Sequence, residues 1–71
     1  MFTWERRIGD MKVEVTSHEH YPESVYLVIH YKGNQIMVRL LLYELESFKD
    51  FLEVAIARYH EWLEQEMLRE G

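Results

Sequence analysis

The fold is decided by residues 24–43, which read SVYLVIHYKGNQIMVRLLLY. Two runs rich in Val, Ile, Leu and Tyr flank Gly33-Asn34, a dipeptide that favours a two-residue β-hairpin loop. With this loop, Lys32 faces Gln35, and every second pair along the hairpin is apolar on both sides. One face then consists of Val25, Leu27, Ile29, Tyr31, Ile36, Val38, Leu40 and Leu42. We therefore predict strands over residues 24–32 and 35–43, with this face in the core.

The opposite face of the same hairpin has a mixed character. It carries Tyr26, Val28, His30, Met37, Arg39 and Leu41. A monomer rarely leaves this much apolar surface in contact with water. We therefore expect this face, or the end of the helix predicted below, to contact another molecule.

A second hairpin is predicted upstream. Residues 11–17 alternate between apolar and polar side chains, which is the period of a β-strand. Residues 2–8 precede the Gly9-Asp10 dipeptide, which suits a type II′ turn with Gly first. We predict strands over 2–8 and 11–17, in a register that places Trp4 opposite Val15.

A long amphipathic helix is predicted after the second hairpin. Ser47, followed three residues later by Asp50, resembles a capping box at a helix start. At 100° per residue, one arc of roughly 140° collects the apolar side chains Leu45, Phe48, Phe51, Leu52, Ala55, Ile56, Tyr59, Trp62 and Leu63. Glu66 falls within this arc, which indicates that the helix outruns its sheet or meets a partner there. We predict a helix over residues 48–68.

These elements predict one α+β domain over residues 1–71. It consists of a four-stranded antiparallel sheet, built from two hairpins, and one long C-terminal amphipathic helix packed on one face. A chain of 71 residues buries only about 60% of the surface that its unfolded form exposes. Because the chain has no cysteine, no disulfide can compensate. We therefore expect self-association, as a homodimer or homotetramer.

The net charge of −5 originates in the helix half of the chain. Residues 1–43 contain five basic and five acidic residues, whereas residues 44–71 contain three and eight. The first ten residues lack the apolar run of a signal peptide, and the apolar run at 40–43 is too short to span a membrane. We therefore expect a cytoplasmic protein with no membrane partner. Abundant Glu and few amide side chains are typical of thermophile proteins.

The loop that joins the hairpins contains the string His18-Glu19-His20. Two imidazoles two residues apart on an extended segment point the same way and can share a metal, with Glu23 as an oxygen ligand. The alternative is a solvated loop, because neither a cysteine nor a third histidine stands at ligand spacing. We predict no metal site, with His18 and His20 as the candidates if a metal binds.

No residue pattern indicates catalysis. The only serines are Ser17, Ser24 and Ser47, and the three glycines are too few for a phosphate-binding loop. Glu44 and Glu46 are neighbours, but acid–base chemistry needs carboxylates that converge in a cleft. We therefore predict a non-catalytic protein without a cofactor.

Aromatic and basic residues in the sheet half point to nucleic acid. Single strands are bound by aromatic rings that stack on bases and by cations that meet phosphates. The candidate nucleic-acid-binding residues are Trp4, Arg6, Arg7, Lys12, Tyr26, His30, Lys32 and Arg39. The same aromatic rings can instead join two subunits. The alternative function is a small acidic protein-interaction module or inhibitor, of the viral or plasmid regulator type, that uses its helix surface for recognition.

Four antiparallel strands and then one helix, from Phe2 to about Trp62, with one uncovered sheet face, resemble a known group of proteins. The group comprises the single-strand-binding units of the positive-cofactor coactivators, the whirly proteins and the PUR repeats, together with small archaeal proteins related to ThermoDBP. The resemblance rests on the order of the elements. It implies dimerisation through helices and sheets and binding of single-stranded DNA. This chain departs from the group in being acidic.

Overall fold

The computed structural model describes residues 1–70 and has the predicted order of elements. Its strands are β1 (Thr3–Ile8), β2 (Met11–Ser17), β3 (Ser24–Tyr31) and β4 (Asn34–Leu41), followed by the helix α1 (Leu42–Glu70). The strands form one sheet in the order β1-β2-β3-β4, and every neighbouring pair is antiparallel. The predicted fold class is confirmed, since a four-stranded antiparallel sheet is followed by one long C-terminal helix.

The first hairpin has the predicted register. Ile8 pairs with Met11, and Trp4 pairs with Val15. Gly9 has a φ of 61°, a left-handed conformation that glycine adopts without a steric penalty and that the first position of a type II′ turn requires.

The second hairpin turns at Lys32-Gly33, so the predicted loop at Gly33-Asn34 was wrong. Tyr31 pairs with Asn34, which moves every cross-strand pair by two residues from its predicted partner. Lys32 and Gly33 have φ angles of 48° and 79°, as a type I′ turn requires, and such turns favour Gly at the second central position. Because side chains alternate with period two, a shift of two residues leaves each side chain on its predicted face.

The register divides the sheet into two faces. The apolar face consists of Trp4, Arg6, Ile8, Met11, Val13, Val15, Ser17, Val25, Leu27, Ile29, Tyr31, Asn34, Ile36, Val38 and Leu40. The polar face consists of Thr3, Glu5, Arg7, Lys12, Glu14, Thr16, Ser24, Tyr26, Val28, His30, Gln35, Met37, Arg39 and Leu41. The apolar face contains the side chains predicted for the core except Leu42, which belongs to α1, and the polar face contains those predicted for the mixed face.

The helix begins at Leu42, six residues before its predicted start. Ser47 is not the cap, because it lies inside α1 and its hydroxyl donates to the Tyr43 carbonyl at 3.0 Å. Instead, the Glu44 carboxylate accepts the Leu41 N–H at 2.9 Å, which is the acidic half of a capping box. The apolar run that ends at Tyr43 suits a strand as well as a helix, so the predicted strand continued beyond the observed end of β4 at Leu41.

The position of the helix differs from the predicted packing on the sheet. Among the described residues, α1 makes its substantial contacts with β4, the strand that it directly follows. The helix side chains expected in the core stay accessible, with Phe48 at 44% and Leu52 at 43% exposure. The one buried apolar side chain of the described residues is Val28, at 5% exposure on the polar face. Its lateral neighbours there are Glu14 and Met37.

A single chain is therefore extended and poorly covered. Its radius of gyration is 16.2 Å, whereas a compact domain of this length has about 11 Å. Its accessible surface is 6368 Å², whereas a folded monomer of 8.7 kDa exposes about 4,700 Å². The apolar face and the apolar side of α1 account for many of the exposed large side chains, including Trp4, Ile36, Val38, Phe48 and Ile56.

Candidate nucleic-acid interface

A row of nitrogen-bearing side chains crosses the polar face near the two hairpin turns. The register places Arg7, Lys12, His30 and Gln35 side by side, one on each strand. Together with Lys32 from the β3–β4 turn, these residues line a depression of about 370 Å³. We call these five residues the basic row. Its alignment follows from strand register alone, because directly paired residues of neighbouring strands share a face.

Lys12 is the basic-row residue with the most extensive ion pairing. Its Nζ atom lies 3.2 Å from Glu5 Oε2 and 3.3 Å from Glu14 Oε1. The hydrogen bonds that Lys12 donates to these two carboxylates raise the pKa of Lys12 above its ordinary value. Because two carboxylates already compensate its charge, we expect Lys12 to attract a phosphate less strongly than Arg7 does.

Glu14 holds His30 as well as Lys12. Its Oε1 atom lies 3.0 Å from His30 Nε2. The hydrogen bond from Lys12 lowers the pKa of Glu14, partial burial opposes this shift, and the bond with His30 adds to the lowering. The imidazole is therefore fixed in the centre of the row, where its ring remains partly accessible.

An aromatic cluster of His18, Tyr21 and Tyr26 lies at the other end of the polar face. The His18 ring stacks on Tyr26 at 5.5 Å between centroids and contacts Tyr21 at 5.0 Å. The Arg39 guanidinium lies over the Tyr21 ring, 5.7 Å from its centroid. Tyr21 is half exposed, so its ring can receive another planar group.

The sequence prediction omitted His18 and Tyr21 from the nucleic-acid-binding set. Both belong to the loop between the hairpins, which folds back beside β3 through a hydrogen bond from the His18 N–H to the Ser24 carbonyl at 3.2 Å. An aromatic residue directly before Pro22, in an otherwise polar loop, is the signal that could have identified Tyr21. The contact with Arg39 depends on how the loop folds and could not be derived from spacing.

The polar face thus has two chemically distinct ends, the basic row and the aromatic cluster. On β3, Tyr26 and His30 are four residues apart, a distance of about 13 Å along a strand. Cations stand at both ends, Arg7 in the basic row and Arg39 over the aromatic cluster. Of the eight residues predicted for nucleic-acid binding, the structure gathers Arg7, Lys12, Tyr26, His30, Lys32 and Arg39 on or beside this face.

The other two predicted residues, Trp4 and Arg6, lie on the apolar face. Trp4 is 67% exposed. Its side chain and the helix residues Leu45, Phe48, Leu52 and Ile56 line an open cleft of about 700 Å³. Trp4 and Arg6 are therefore separated by the sheet from the basic row.

The histidine string does not form a metal-binding cluster. The His18 Nδ1 atom accepts the His20 N–H at 3.0 Å, and the ring of His18 is engaged with Tyr26. Within residues 1–70, as far as they are described, no three His, Cys, Asp or Glu side chains are grouped to hold a metal ion. The structure instead gives His18 a packing role in the aromatic cluster.

Comparison of the chain with protein-family models, with curated proteins and with solved structures finds no match. Within the described part of the chain, α1 is not apolar enough over its length to cross a membrane.

Proposed function

We propose that this chain is a non-catalytic, homo-oligomeric protein that binds single-stranded DNA or RNA on its polar face. The observation that supports the proposal best is that one sheet face carries both parts of a single-strand site. The basic row supplies cations for phosphates, and the aromatic cluster supplies a ring on which a base can stack. A cytoplasmic location and a thermophilic origin stay predictions from composition.

The cations of the two ends support binding to a polyanion. Among the described residues, neither Arg7 nor Arg39 forms an ion pair within 4.0 Å. Lys32 adds a charge at the turn, although a left-handed φ of 48° is unfavourable for a residue with a long side chain. Asn or Gly would fit this turn with less strain, so the lysine brings a charge at some conformational cost.

The acidic helix need not oppose binding on this face. Trp4 belongs to the apolar face and shares the open cleft with α1, so α1 lies on the apolar side of the sheet. The helix carboxylates are therefore separated from the basic row by the sheet. They weaken the long-range attraction of the whole protein for a polyanion without occupying the contact surface.

The aromatic cluster favours single strands over duplexes. Bases in a duplex are already stacked on their neighbours, whereas an unpaired base can place its face on Tyr21. Stacking of this kind contributes about 1–3 kcal/mol per base and tolerates any sequence. We therefore expect weak sequence preference and tighter binding to single-stranded than to double-stranded oligonucleotides.

Fluorescence anisotropy with labelled single-stranded DNA and RNA at several salt concentrations tests the proposal. Each phosphate-neutralising cation adds about −0.7 to the slope of log K against log salt. Arg7→Gln and Arg39→Gln are each expected to make this negative slope shallower by about that amount. Arg58→Gln is the matched control, because Arg58 lies on the helix, 4.0 Å from Glu61.

Two results would overturn the proposal. One is that no binding is detected at low salt, even at protein concentrations above about 100 μM. The affinity would then be weaker than that of ordinary non-specific binding. The other is an equal loss of affinity in Arg58→Gln and Arg39→Gln, which would remove the polar face from the explanation.

A second candidate function is a protein-interaction module. It is favoured by the exposed acidic side of α1, formed by Glu46, Asp50, Glu53, Glu61 and Glu64. A pull-down after nuclease treatment distinguishes the two functions. This candidate would be supported by a stoichiometric protein partner that is lost when Glu53 and Glu61 are changed to Gln. The Arg39→Gln variant should retain that partner.

A further inference from the structure

We infer that the open cleft between Trp4 and α1 is filled in solution by the helix of a second copy of this chain. The surfaces involved are the apolar face and the helix stripe, which we define as Leu45, Phe48, Leu52, Ile56, Tyr59 and Leu63. The inference rests on the oligomeric part of the proposed function, and it does not depend on nucleic-acid binding.

The chain's own helix leaves the cleft open. β4 ends at Leu41 and α1 begins at Leu42 without a loop between them. The junction is held by the bond from the Leu41 N–H to Glu44 and by the bond from the Leu42 N–H to the Glu23 carbonyl at 2.8 Å. Without a linker at this junction, α1 has little freedom to pivot towards Trp4.

The length of the helix also favours a partner. The 29 residues of α1 span about 43 Å, whereas the eight residues of β3 span about 27 Å. The helix is therefore about 16 Å longer than the longest strands of its own sheet. The exposed rings of Tyr59 and Trp62, 5.4 Å apart between centroids, belong to the C-terminal half of α1.

The surplus of exposed surface has the size of an obligate interface. The chain's 6368 Å² exceeds the value for a compact monomer of its mass by about 1,600 Å². Two copies that each bury this surplus would remove about 3,200 Å² from water, which lies in the range of obligate homodimers. A transient encounter with an unrelated protein typically buries much less.

The lack of a core indicates that the partner is a second copy. A domain offsets the entropy of folding mainly by apolar burial, yet Val28 is the only buried apolar side chain of the described residues. The chain therefore needs its partner in order to fold, and a second copy is present whenever the chain is made. Both walls of the cleft are predominantly apolar and lie on one chain, so a two-fold axis lets each copy supply what the other lacks.

The charges on α1 are compatible with this arrangement. Asp50 and Glu61 point away from the helix stripe at 100° per residue, so a second helix can enter without bringing these carboxylates into the cleft. Glu46, Lys49 and Glu53 also line the cleft, but all three side chains are exposed, so their charged groups can stay in water at its edge. Glu66 lies on the apolar side of the helix, and its Oε1 atom lies 3.7 Å from Arg69 Nη1. This pair reduces the cost of placing Glu66 at the edge of an apolar interface.

Light scattering after size-exclusion chromatography, without nucleic acid, tests the inference. We expect wild-type protein at micromolar concentration to have at least twice the 8.7 kDa mass of one chain. Its melting temperature should rise by about 5 °C for each tenfold increase in concentration, because dissociation accompanies unfolding. Leu52→Asp should abolish the assembly, whereas Val54→Asp, on the opposite side of the same helix, should leave the mass unchanged.

Isotope-filtered NMR on mixed labelled and unlabelled protein locates the contact. We expect nuclear Overhauser effects between the Trp4 indole of one copy and the helix stripe of the other. A folded 8.7 kDa monomer, an unchanged mass in folded Leu52→Asp, or Trp4–helix contacts confined to one chain would each overturn the inference. If Leu52→Asp fails to fold, the concentration dependence of the wild-type melting temperature and the NMR contacts decide the question.

Discussion

Lys12 Nζ lies 3.3 Å from Glu14 Oε1, although the two residues belong to the same strand. They share the polar face because side chains of a strand alternate, so residues two apart lie on one side. Glu5, on the neighbouring strand, approaches the same ammonium group at 3.2 Å. One of the predicted phosphate-binding cations is thus already paired with two carboxylates, and this pairing sets the electrostatics of the basic row.

Replacing Lys12 with Met should raise the pKa of Glu14. The hydrogen bond from Lys12 is the largest cause of the lowered pKa of Glu14, whose ordinary value is 4.5. NMR titration of the Glu14 carboxyl carbon measures this change directly. Lys49→Met is the control, because Lys49 pairs with Asp50 on the helix. An unchanged Glu14 pKa in Lys12→Met would contradict the assignment of the interaction.

The same interaction makes stability depend on pH in a defined direction. Because the folded-state pKa of Glu14 is lowered, its contribution is fully present above about pH 4.5 and is lost as the pH falls through the folded-state value. The pH-dependent loss of stability below pH 4.5 should therefore be smaller in Lys12→Met than in wild type. Chemical denaturation at one fixed protein concentration measures the difference.

Two substitutions in the β3–β4 turn should change the free energy of unfolding in opposite directions. Gly33 has a φ of 79°, and a Cβ atom there would meet no atom within 4 Å, so Gly33→Ala should destabilise by about 1 kcal/mol through backbone strain alone. Lys32→Asn should stabilise by up to about 1 kcal/mol, because Asn-Gly is a preferred type I′ pair. Chemical denaturation measures both free energies of unfolding, and Asp10→Ala in the other turn serves as the comparison. A neutral Gly33→Ala would contradict the observed turn.

Loss of the Glu44 carboxylate should loosen the strand-to-helix junction. Glu44→Ala removes the acceptor of the Leu41 N–H and should destabilise by about 1 kcal/mol. Glu44→Gln keeps an acceptor oxygen and should cost less. Glu46→Ala, two residues further along α1 and exposed, is the matched control for helix propensity. Equal effects of Glu44→Ala and Glu46→Ala in thermal unfolding would show that the cap contributes nothing.

Removal of the Tyr21 ring should weaken nucleic-acid binding without changing its salt dependence. Stacking involves no counterion release, so Tyr21→Leu should cost about 1–3 kcal/mol of binding free energy at every salt concentration. Arg39→Gln should instead change the slope. Tyr43→Leu, an exposed tyrosine at the start of α1, is the control. A changed salt slope in Tyr21→Leu would contradict a stacking role.

Several features of the fold followed from local pattern in the sequence. The alternation in residues 11–17 and 24–41 assigned each side chain to its face, because strand side chains point to opposite sides with period two. Gly9-Asp10 located the first turn, since a left-handed first position favours glycine. The nature of the polar face was also predictable, because the alternation places Arg7, Lys12 and Arg39 opposite the apolar side chains of their own strands.

Other features depended on contacts between distant parts of the chain. The cross-strand partners of β3 and β4 required the turn at Lys32-Gly33, since a two-residue shift leaves both faces unchanged and no periodicity can detect it. The aromatic cluster required the loop to fold back so that Tyr21 meets Arg39.

The sequence by itself thus determined that four strands and a helix form, and which side of each is apolar. Tertiary structure alone decided where the helix begins and where it points. Leu42 and Tyr43 suit either a strand or a helix, and the choice is made by bonds to Glu44 and Glu23. In a single chain, α1 lies on the apolar side of the sheet but leaves Trp4, Phe48 and Leu52 accessible, so the apolar face predicted to be a core stays open.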